Sequence, residues 1–112
     1  MRKVVLDTSF ILTCVKQKID FFYWLNMDGI KAIIPEQVLR ELGGLGAELA
    51  LKIINTNNFE LLKIAGRDAD AAIIKFANEN PGIIVATLDV GLKKKIRNRK
   101  LIIRQKKKLE IV

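Results

Sequence analysis

Short apolar runs alternate along the chain with segments in which apolar residues recur every three or four positions. The runs, such as KVVLD at 3–7 and KAIIP at 31–35, have the length and β-branched content of buried strands. The other segments have the spacing of amphipathic helices. The pattern predicts strands at 3–7, 31–35, 59–64, 82–87 and 101–104. It predicts helices from residue 8 onward and at 20–27, 36–42, 48–57, 67–80 and 92–99.

Strands that alternate with helices indicate a parallel sheet covered by helices on both faces. We therefore predict one domain over residues 1–112, with a three-layer α/β/α fold around a central parallel sheet of about five strands. In such sheets, functional sites collect at the carboxyl ends of the strands, near the point where the strand order reverses. Polar residues that directly follow a strand are therefore the first candidates for chemistry.

Positive charge is concentrated in one late segment of the chain. The net charge is +8, and ten of the 20 Lys and Arg residues lie between 93 and 108, with no acid among them. One explanation is that these side chains simply form a solvent-exposed charged face. A field this concentrated indicates instead a polyanionic partner, either nucleic acid or an anionic membrane surface. We favour nucleic acid, although charge alone does not say whether it is bound or cut.

The sequence carries no signal for a membrane or a secretory route. Its longest apolar runs are a few residues, far short of the ~20 that cross a bilayer, and its first residues lack the apolar core of a signal peptide. The single cysteine, Cys14, has apolar neighbours and is predicted to be buried, and the chain has no histidine that could activate it. We expect a cytoplasmic protein with no membrane partner.

Three aspartates stand at junctions between predicted elements. Asp7 and Asp89 each follow an apolar strand, where an aspartate can cap the next helix for ~1 kcal/mol. Asp70 lies in the first turn of a helix, where a negative charge contributes ~0.3–1 kcal/mol. Asp68 suits the capping position of that helix better, which leaves Asp70 available for another role. Taken singly, Asp7 and Asp89 are explained by helix capping, and Asp70 by its charge in the first turn of a helix.

Taken together, the aspartates predict a metal site. Carboxylates at one edge of a sheet repel one another, and their pKa values rise unless a cation lies between them. Hard divalent cations such as Mg²⁺ prefer these oxygen ligands. Glu36 and Glu41 are both candidates for a further acid. Glu36 is explained by its place in the first turn of a helix, so Glu41 is favoured.

Four segments, in order, resemble the motifs of the PIN-domain ribonucleases and cover nearly the whole chain. They are VVLDTSFIL, IIPEQVLREL, DADAAIIKFA and IIVATLDVGLKKKI. The resemblance places the four acids of the family at Asp7, Glu41, Asp70 and Asp89. It implies a PIN-like fold and a hydrolase, an endoribonuclease that depends on Mg²⁺ or Mn²⁺.

The resemblance also implies roles for individual side chains. Asp7, Asp70 and Asp89 would bind the metal, and Glu41 would complete the catalytic group. Two hydroxyl groups would orient the carboxylates through hydrogen bonds; they belong to Ser9 and Thr87. The basic segment would hold the RNA backbone without reading its sequence. The residues expected to contact RNA are Lys93, Lys94, Lys95, Arg97, Arg99 and Lys100.

Within the family, the late segments are most similar to the branch that processes precursor rRNA. VapC toxins more often carry a further acid shortly after the fourth motif, where this chain has Leu92. A toxin ribonuclease and a non-catalytic RNA-binding scaffold of the same fold remain alternatives. The resemblance further implies a homodimer and pre-ribosomal proteins as partners. The aromatic cluster at 21–24 would divide between the core, a dimer contact and stacking on bases.

Overall fold

The computed structural model of the chain describes residues 1–105 and 107–112, which form six strands and six helices. The strands are β1 (Arg2–Leu6), β2 (Ile30–Pro35), β3 (Glu60–Leu62), β4 (Ile84–Ala86), β5 (Lys100–Arg104) and β6 (Lys108–Ile111). The helices are α1 (Thr8–Lys16), α2 (Phe21–Met27), α3 (Glu36–Gly44), α4 (Glu48–Asn55), α5 (Ala69–Glu79) and α6 (Val90–Lys94). Lys106, one of the ten cations between 93 and 108, lies outside the described residues.

The strands form one sheet in the order β3-β2-β1-β4-β5-β6. The first five are parallel, which confirms the predicted parallel sheet, whereas β6 pairs antiparallel with β5. The sequence analysis did not predict β6. It forms because Leu109 is buried and Ile111 pairs with Leu101, so that the strand covers the edge of β5.

Strand β1 is at the centre of the sheet and at its topological switch point. After β1 the chain moves outward to β2 and β3, and it then returns to the other side of β1 to form β4. Because parallel crossovers are right-handed, this reversal distributes the helices over both faces of the sheet. Val4, Val5 and Leu6 are accordingly fully buried although successive side chains point to opposite faces.

The core is built from the central strands and the apolar stripes of the helices. Phe10 and Phe21 meet edge to face with ring centroids 6.0 Å apart. Cys14 is buried, as predicted, and burial raises the pKa of its thiol to about 12. In the aromatic cluster Phe21 and Phe22 belong to the core, whereas Tyr23 is exposed and Trp24 is half-buried.

The predicted helix at 92–99 is wrong at both ends. Helix α6 begins at Val90 because Asp89 caps it, and it is only five residues long. The chain after it is held out of the helix by Asn98, a buried side chain whose Nδ2 donates to main-chain carbonyls around the end of α5 and the start of β4. These acceptors are the oxygens of Ala77 (3.2 Å), Asn80 (3.0 Å), Pro81 (3.5 Å) and Ile83 (2.9 Å). The strand predicted at 59–64 is likewise reduced to β3.

None of the helices in the described part of the chain combines the length and the apolar character needed to cross a membrane.

Candidate active site

Asp7 lies where β1 ends and α1 begins, and its side chain is 3% exposed. It occupies the N-cap position of α1 but makes no side-chain capping bond. Its Oδ2 instead accepts hydrogen bonds from Ser9 Oγ at 2.9 Å and from Thr87 Oγ1 at 2.7 Å. Helix capping therefore does not explain this aspartate, because its carboxylate is turned toward hydroxyl groups from two segments of the chain.

The two hydroxyl groups are themselves fixed by the main chain after β4. Thr87 is fully buried, and its Oγ1 accepts from the N–H of Asp89 at 3.0 Å. Ser9 Oγ accepts from the N–H of Leu88 at 3.1 Å. Each hydroxyl oxygen thus accepts a hydrogen bond from a main-chain N–H, and its own O–H donates a hydrogen bond to Asp7. The arrangement holds one carboxylate oxygen of Asp7 in a fixed orientation and joins β1 to the end of β4.

Asp89 caps helix α6, since its Oδ1 accepts from the N–H of Leu92 at 3.1 Å. A Cβ atom at Gly91 would lie 3.2 Å from that same oxygen, so glycine leaves room for the carboxylate. The other oxygen of Asp89, Oδ2, receives no hydrogen bond from the residues that the structure describes. Capping and a further role are therefore compatible at this residue, because each can use a different oxygen.

Glu41 connects three helices through both of its carboxylate oxygens. Oε1 accepts from Thr8 Oγ1 at 2.8 Å, at the start of α1, and Oε2 accepts from the N–H of Ala69 at 2.9 Å, at the start of α5. Glu41 itself lies on α3. The residue therefore fixes the first turn of α5, which carries Asp70, against the helix that follows Asp7.

The pKa of Asp70 is raised by partial burial and by the other acids around it. The charges responsible, in decreasing order, are those of Asp7, Asp89, Asp68 and Glu41. Asp68 caps α5 by accepting from the N–H of Ala71 at 2.9 Å, as the sequence predicted, which leaves Asp70 without a capping role. The structure therefore brings all four predicted acids together at the end of the sheet where the parallel strands have their carboxyl ends, and we call this the acid edge.

The oxygen atoms left over at this edge suit a hard divalent cation. Asp7 Oδ1, Asp89 Oδ2 and both oxygens of Asp70 accept no hydrogen bond within residues 1–105 and 107–112, and carboxylate oxygens are the ligands that Mg²⁺ and similar ions prefer. In the same residues, no three acidic side chains are close enough, as they stand, to enclose an ion. The donors thus fit such a cation by their chemistry.

The chain matches a known protein family over most of its length. The model of the PIN-like domain family matches residues 4–107. The chain belongs to this family. The four sequence motifs had predicted this membership, which is now confirmed together with the PIN fold.

Two relatives of this PIN-like domain carry names that concern RNA. Ribonuclease VapC4 of Methanocaldococcus jannaschii is 31% identical over 129 residues, covering 99% of this chain and 97% of that protein. The rRNA-processing protein fcf1 of Schizosaccharomyces pombe is 37% identical over 101 residues, covering 84% of this chain and 53% of that protein. The chain therefore spans nearly all of the first relative but only about half of the second.

Solved structures agree with the family assignment. The PIN domain endonuclease Utp24 superimposes with a TM-score of 0.85 at 31% identity, covering 97% of this chain and 90% of that one. A domain of a functionally unknown protein from Methanocaldococcus jannaschii DSM 2661 gives a TM-score of 0.54 at 20% identity, covering 100% and 99%. At that identity the second likeness concerns the fold alone.

The residues of the predicted RNA-binding set lie at different places in this PIN-like domain. Lys93 and Lys94 lie in the last turn of α6, the helix that Asp89 caps. Lys95 and Arg97 instead line a cavity of about 250 Å³ near the amino end of β4, together with Pro81 and Asn98. Arg99 and Lys100 run alongside β4, and Lys100 Nζ donates to the carbonyl oxygen of Asn98 at 2.8 Å. Of the predicted RNA-binding set, Lys93 and Lys94 are therefore the two residues on the helix that Asp89 caps.

The sequence analysis missed three residues near the acid edge, namely Gln37, Arg40 and Arg67. A shallow cavity of about 270 Å³ adjoins the acids on the side of β2. Its lining consists of Gln37, Arg40, Glu41, Arg67 and Asp68. For the two arginines the sequence offered a signal, because Arg40 directly precedes Glu41 and Arg67 directly precedes Asp68.

Proposed function

We propose that this protein is an endoribonuclease that hydrolyses RNA phosphodiester bonds with Mg²⁺ or Mn²⁺ held by Asp7, Asp70 and Asp89. The observation that supports the proposal most strongly is the environment of the Asp7 carboxylate in a PIN-like domain. Its carboxylate is buried, it is oriented by Ser9 and Thr87 rather than used as a cap, and one oxygen is left without a described donor. Such an arrangement suits a ligand that must present one oxygen to an ion.

The residues around the acids support distinct contributions to cleavage. A bound divalent cation supplies charge neutralisation at the phosphate and lowers the pKa of a bound water. Ser9 and Thr87 orient Asp7, and Glu41 positions the helix turn that carries Asp70. Lys93, Lys94 and Lys95, in and directly after α6, hold the phosphates of the strand to be cut.

Precursor rRNA is the substrate that we favour. The fission yeast relative is named for rRNA processing, and the superimposed Utp24 structure is that of an endonuclease. The proposal includes cytoplasmic location, self-association as a homodimer, and pre-ribosomal proteins as partners. Single-stranded or looped segments are the expected cleavage sites, since their bases can splay outward.

A toxin ribonuclease is the second candidate, and one observation favours it. The chain covers 97% of ribonuclease VapC4, so the two proteins match over nearly their whole lengths. The two candidates share the chemistry and differ in substrate and regulation. A toxin would be inhibited by a small antitoxin protein, whereas a processing enzyme would cut at defined positions of precursor rRNA.

The proposal is tested by cleavage of an end-labelled RNA that carries a structured ribosomal segment with single-stranded flanks. Wild type, Asp7→Asn and the control Asp28→Asn would be compared in Mn²⁺, Mg²⁺ and EDTA. Asp28 undergoes the same chemical change at an exposed position that precedes β2, away from the acid edge.

We expect metal-dependent cuts in wild type and in Asp28→Asn. In Asp7→Asn we expect no cuts and an RNA affinity that is equal or higher, because a negative charge near the phosphate has been removed. Binding without cuts in every variant would overturn the enzymatic proposal and leave an RNA-binding scaffold. Cuts that persist in Asp7→Asn would exclude Asp7 from the site.

A further inference from the structure

Two arginines line the cavity beside the acids. Arg40 on α3 and Arg67, just before α5, are both exposed. Glu41 and Asp68 line the same cavity, yet neither arginine makes a salt bridge to them in the described part of the chain. Both oxygens of Glu41 accept other hydrogen bonds, and Asp68 caps its helix. The guanidinium groups are therefore available to another anion.

The backbone that carries these arginines is held in a fixed arrangement by Gln37. This side chain is 4% exposed and lies one helical turn before Arg40. Its Nε2 donates to the carbonyl oxygens of Ile64 at 2.7 Å and of Gly66 at 3.0 Å. The segment that leads into Arg67 is thereby tied to the helix that carries Arg40.

Close packing at Gly66 tightens this arrangement. A Cβ atom at Gly66 would lie 2.8 Å from the main-chain nitrogen of Ala72, so the chain before Arg67 packs directly against α5. The hydrogen bonds of Gln37 and the packing of Gly66 thus fix the main chain before Arg67 against both α3 and α5.

The arginines lie on the opposite side of the acid edge from the lysines of α6. Arg40 and Arg67 adjoin Glu41 and Asp68, on the side of β2, whereas Lys93 and Lys94 lie on the helix that Asp89 caps, on the side of β4. Asp7, at the end of the central strand, stands between the two groups. Positive charge therefore flanks the acids on both sides.

We propose that Arg40 and Arg67 together bind a backbone phosphate of the RNA, on the β2 side of the bond that is cut. The inference rests on the proposed function and adds a second point of attachment to it. Guanidinium groups suit this role because their planar N–H donors match phosphate oxygens in pairs, which an ammonium does not do. An RNA strand that is bound on both sides of the acid edge lies across the carboxylates, although their negative charge repels its phosphates.

The test measures binding of fluorescein-labelled single-stranded RNA by fluorescence anisotropy at salt concentrations from about 50 to about 200 mM. All proteins carry Asp7→Asn so that the RNA stays intact. The parent is compared with a variant that adds Arg40→Gln and Arg67→Gln. A matched control adds Lys16→Gln and Lys52→Gln, which remove the same charge from exposed positions in the last turns of α1 and α4.

Loss of one phosphate contact is expected to reduce the slope of log affinity against log salt by about 0.7, the value for each phosphate neutralised on a single strand. The loss of affinity relative to the parent should then be about 2.6-fold greater at the lower salt concentration than at the higher one. The control should keep the slope of the parent. A slope in the arginine variant equal to that of the control would overturn the inference while leaving the proposed function intact. Absence of RNA binding by the parent would overturn both.

Discussion

Glu41 provides the sharpest test of how the site is assembled, because its two carboxylate oxygens accept bonds from two different helices. In Glu41→Ala both bonds are lost, and the N–H of Ala69, a residue that is 1% exposed, is left without its acceptor. Hydrogen bonds to a charged group contribute ~1.5–3 kcal/mol each, and Glu41 is only half-buried, so we expect a loss of about 2–4 kcal/mol in the free energy of unfolding. For a domain of this size, this corresponds to roughly 8–16 °C in Tm.

Glu41→Gln separates hydrogen bonding from charge. The amide oxygen can still accept from the N–H of Ala69, and the hydroxyl of Thr8 can turn to accept from the amide nitrogen. We therefore expect a change in the free energy of unfolding of at most about 1 kcal/mol. RNA cleavage should nevertheless fall, because the charge beside Asp70 has been removed.

Urea unfolding of both variants, with Glu36→Ala as a control on the same helix, gives the comparison. The control should lose no more than about 1 kcal/mol, since Glu36 interacts mainly with the end of α3. Glu41→Gln and Glu41→Ala of equal, low stability would refute the reasoning. So would a Glu41→Ala protein as stable as wild type, because the two bonds would then contribute nothing.

Two further predictions concern charge around the acids. The raised pKa of Asp70 means that its ionised form is disfavoured in the folded state, so that stability falls as pH rises from the ordinary value of 3.8 through the raised pKa. Asp70→Asn should accordingly be more stable than wild type in EDTA at pH ~7 by urea unfolding, with the difference vanishing below the ordinary pKa; lower stability at neutral pH would contradict the repulsion. Replacing Lys93–Lys95 by glutamine should weaken RNA binding and reduce its salt slope by about 2. An unchanged slope would mean that these lysines do not hold phosphate.

The parallel sheet and the meeting of the acids were predictable because both follow from local pattern. Apolar runs separated by amphipathic segments define the strands, and an aspartate directly after a strand must lie at its carboxyl end. Whether that aspartate caps a helix is not a local property. Asp7 and Asp89 occupy equivalent positions, yet Asp89 caps its helix and Asp7 does not, because Thr87 reaches Asp7 from 80 positions away.

The errors have the same physical origin. The helix expected at 92–99 ends early because the side chain of Asn98 satisfies carbonyl groups 15 to 21 positions before it. Strand β6 escaped prediction because KLEI has little strand character until it pairs with β5. Gln37 gave no signal for a similar reason: its partners, Ile64 and Gly66, become neighbours only when α3 packs beside the segment that precedes α5.

The central position of β1 also determines when the site can exist during synthesis of the chain. Val4 pairs with Ala32 on one side, early in the sequence, but with Ile84 on the other. Until β4 has left the ribosome, one edge of the most buried strand has no partner, and Asp7 lacks the hydroxyl that orients it. The contacts that complete the acid edge are thus among those of highest contact order, which form late in folding. An unfinished nascent chain therefore holds the first aspartate but no assembled site until Thr87 and Asp89 have been synthesised and β4 has paired with β1.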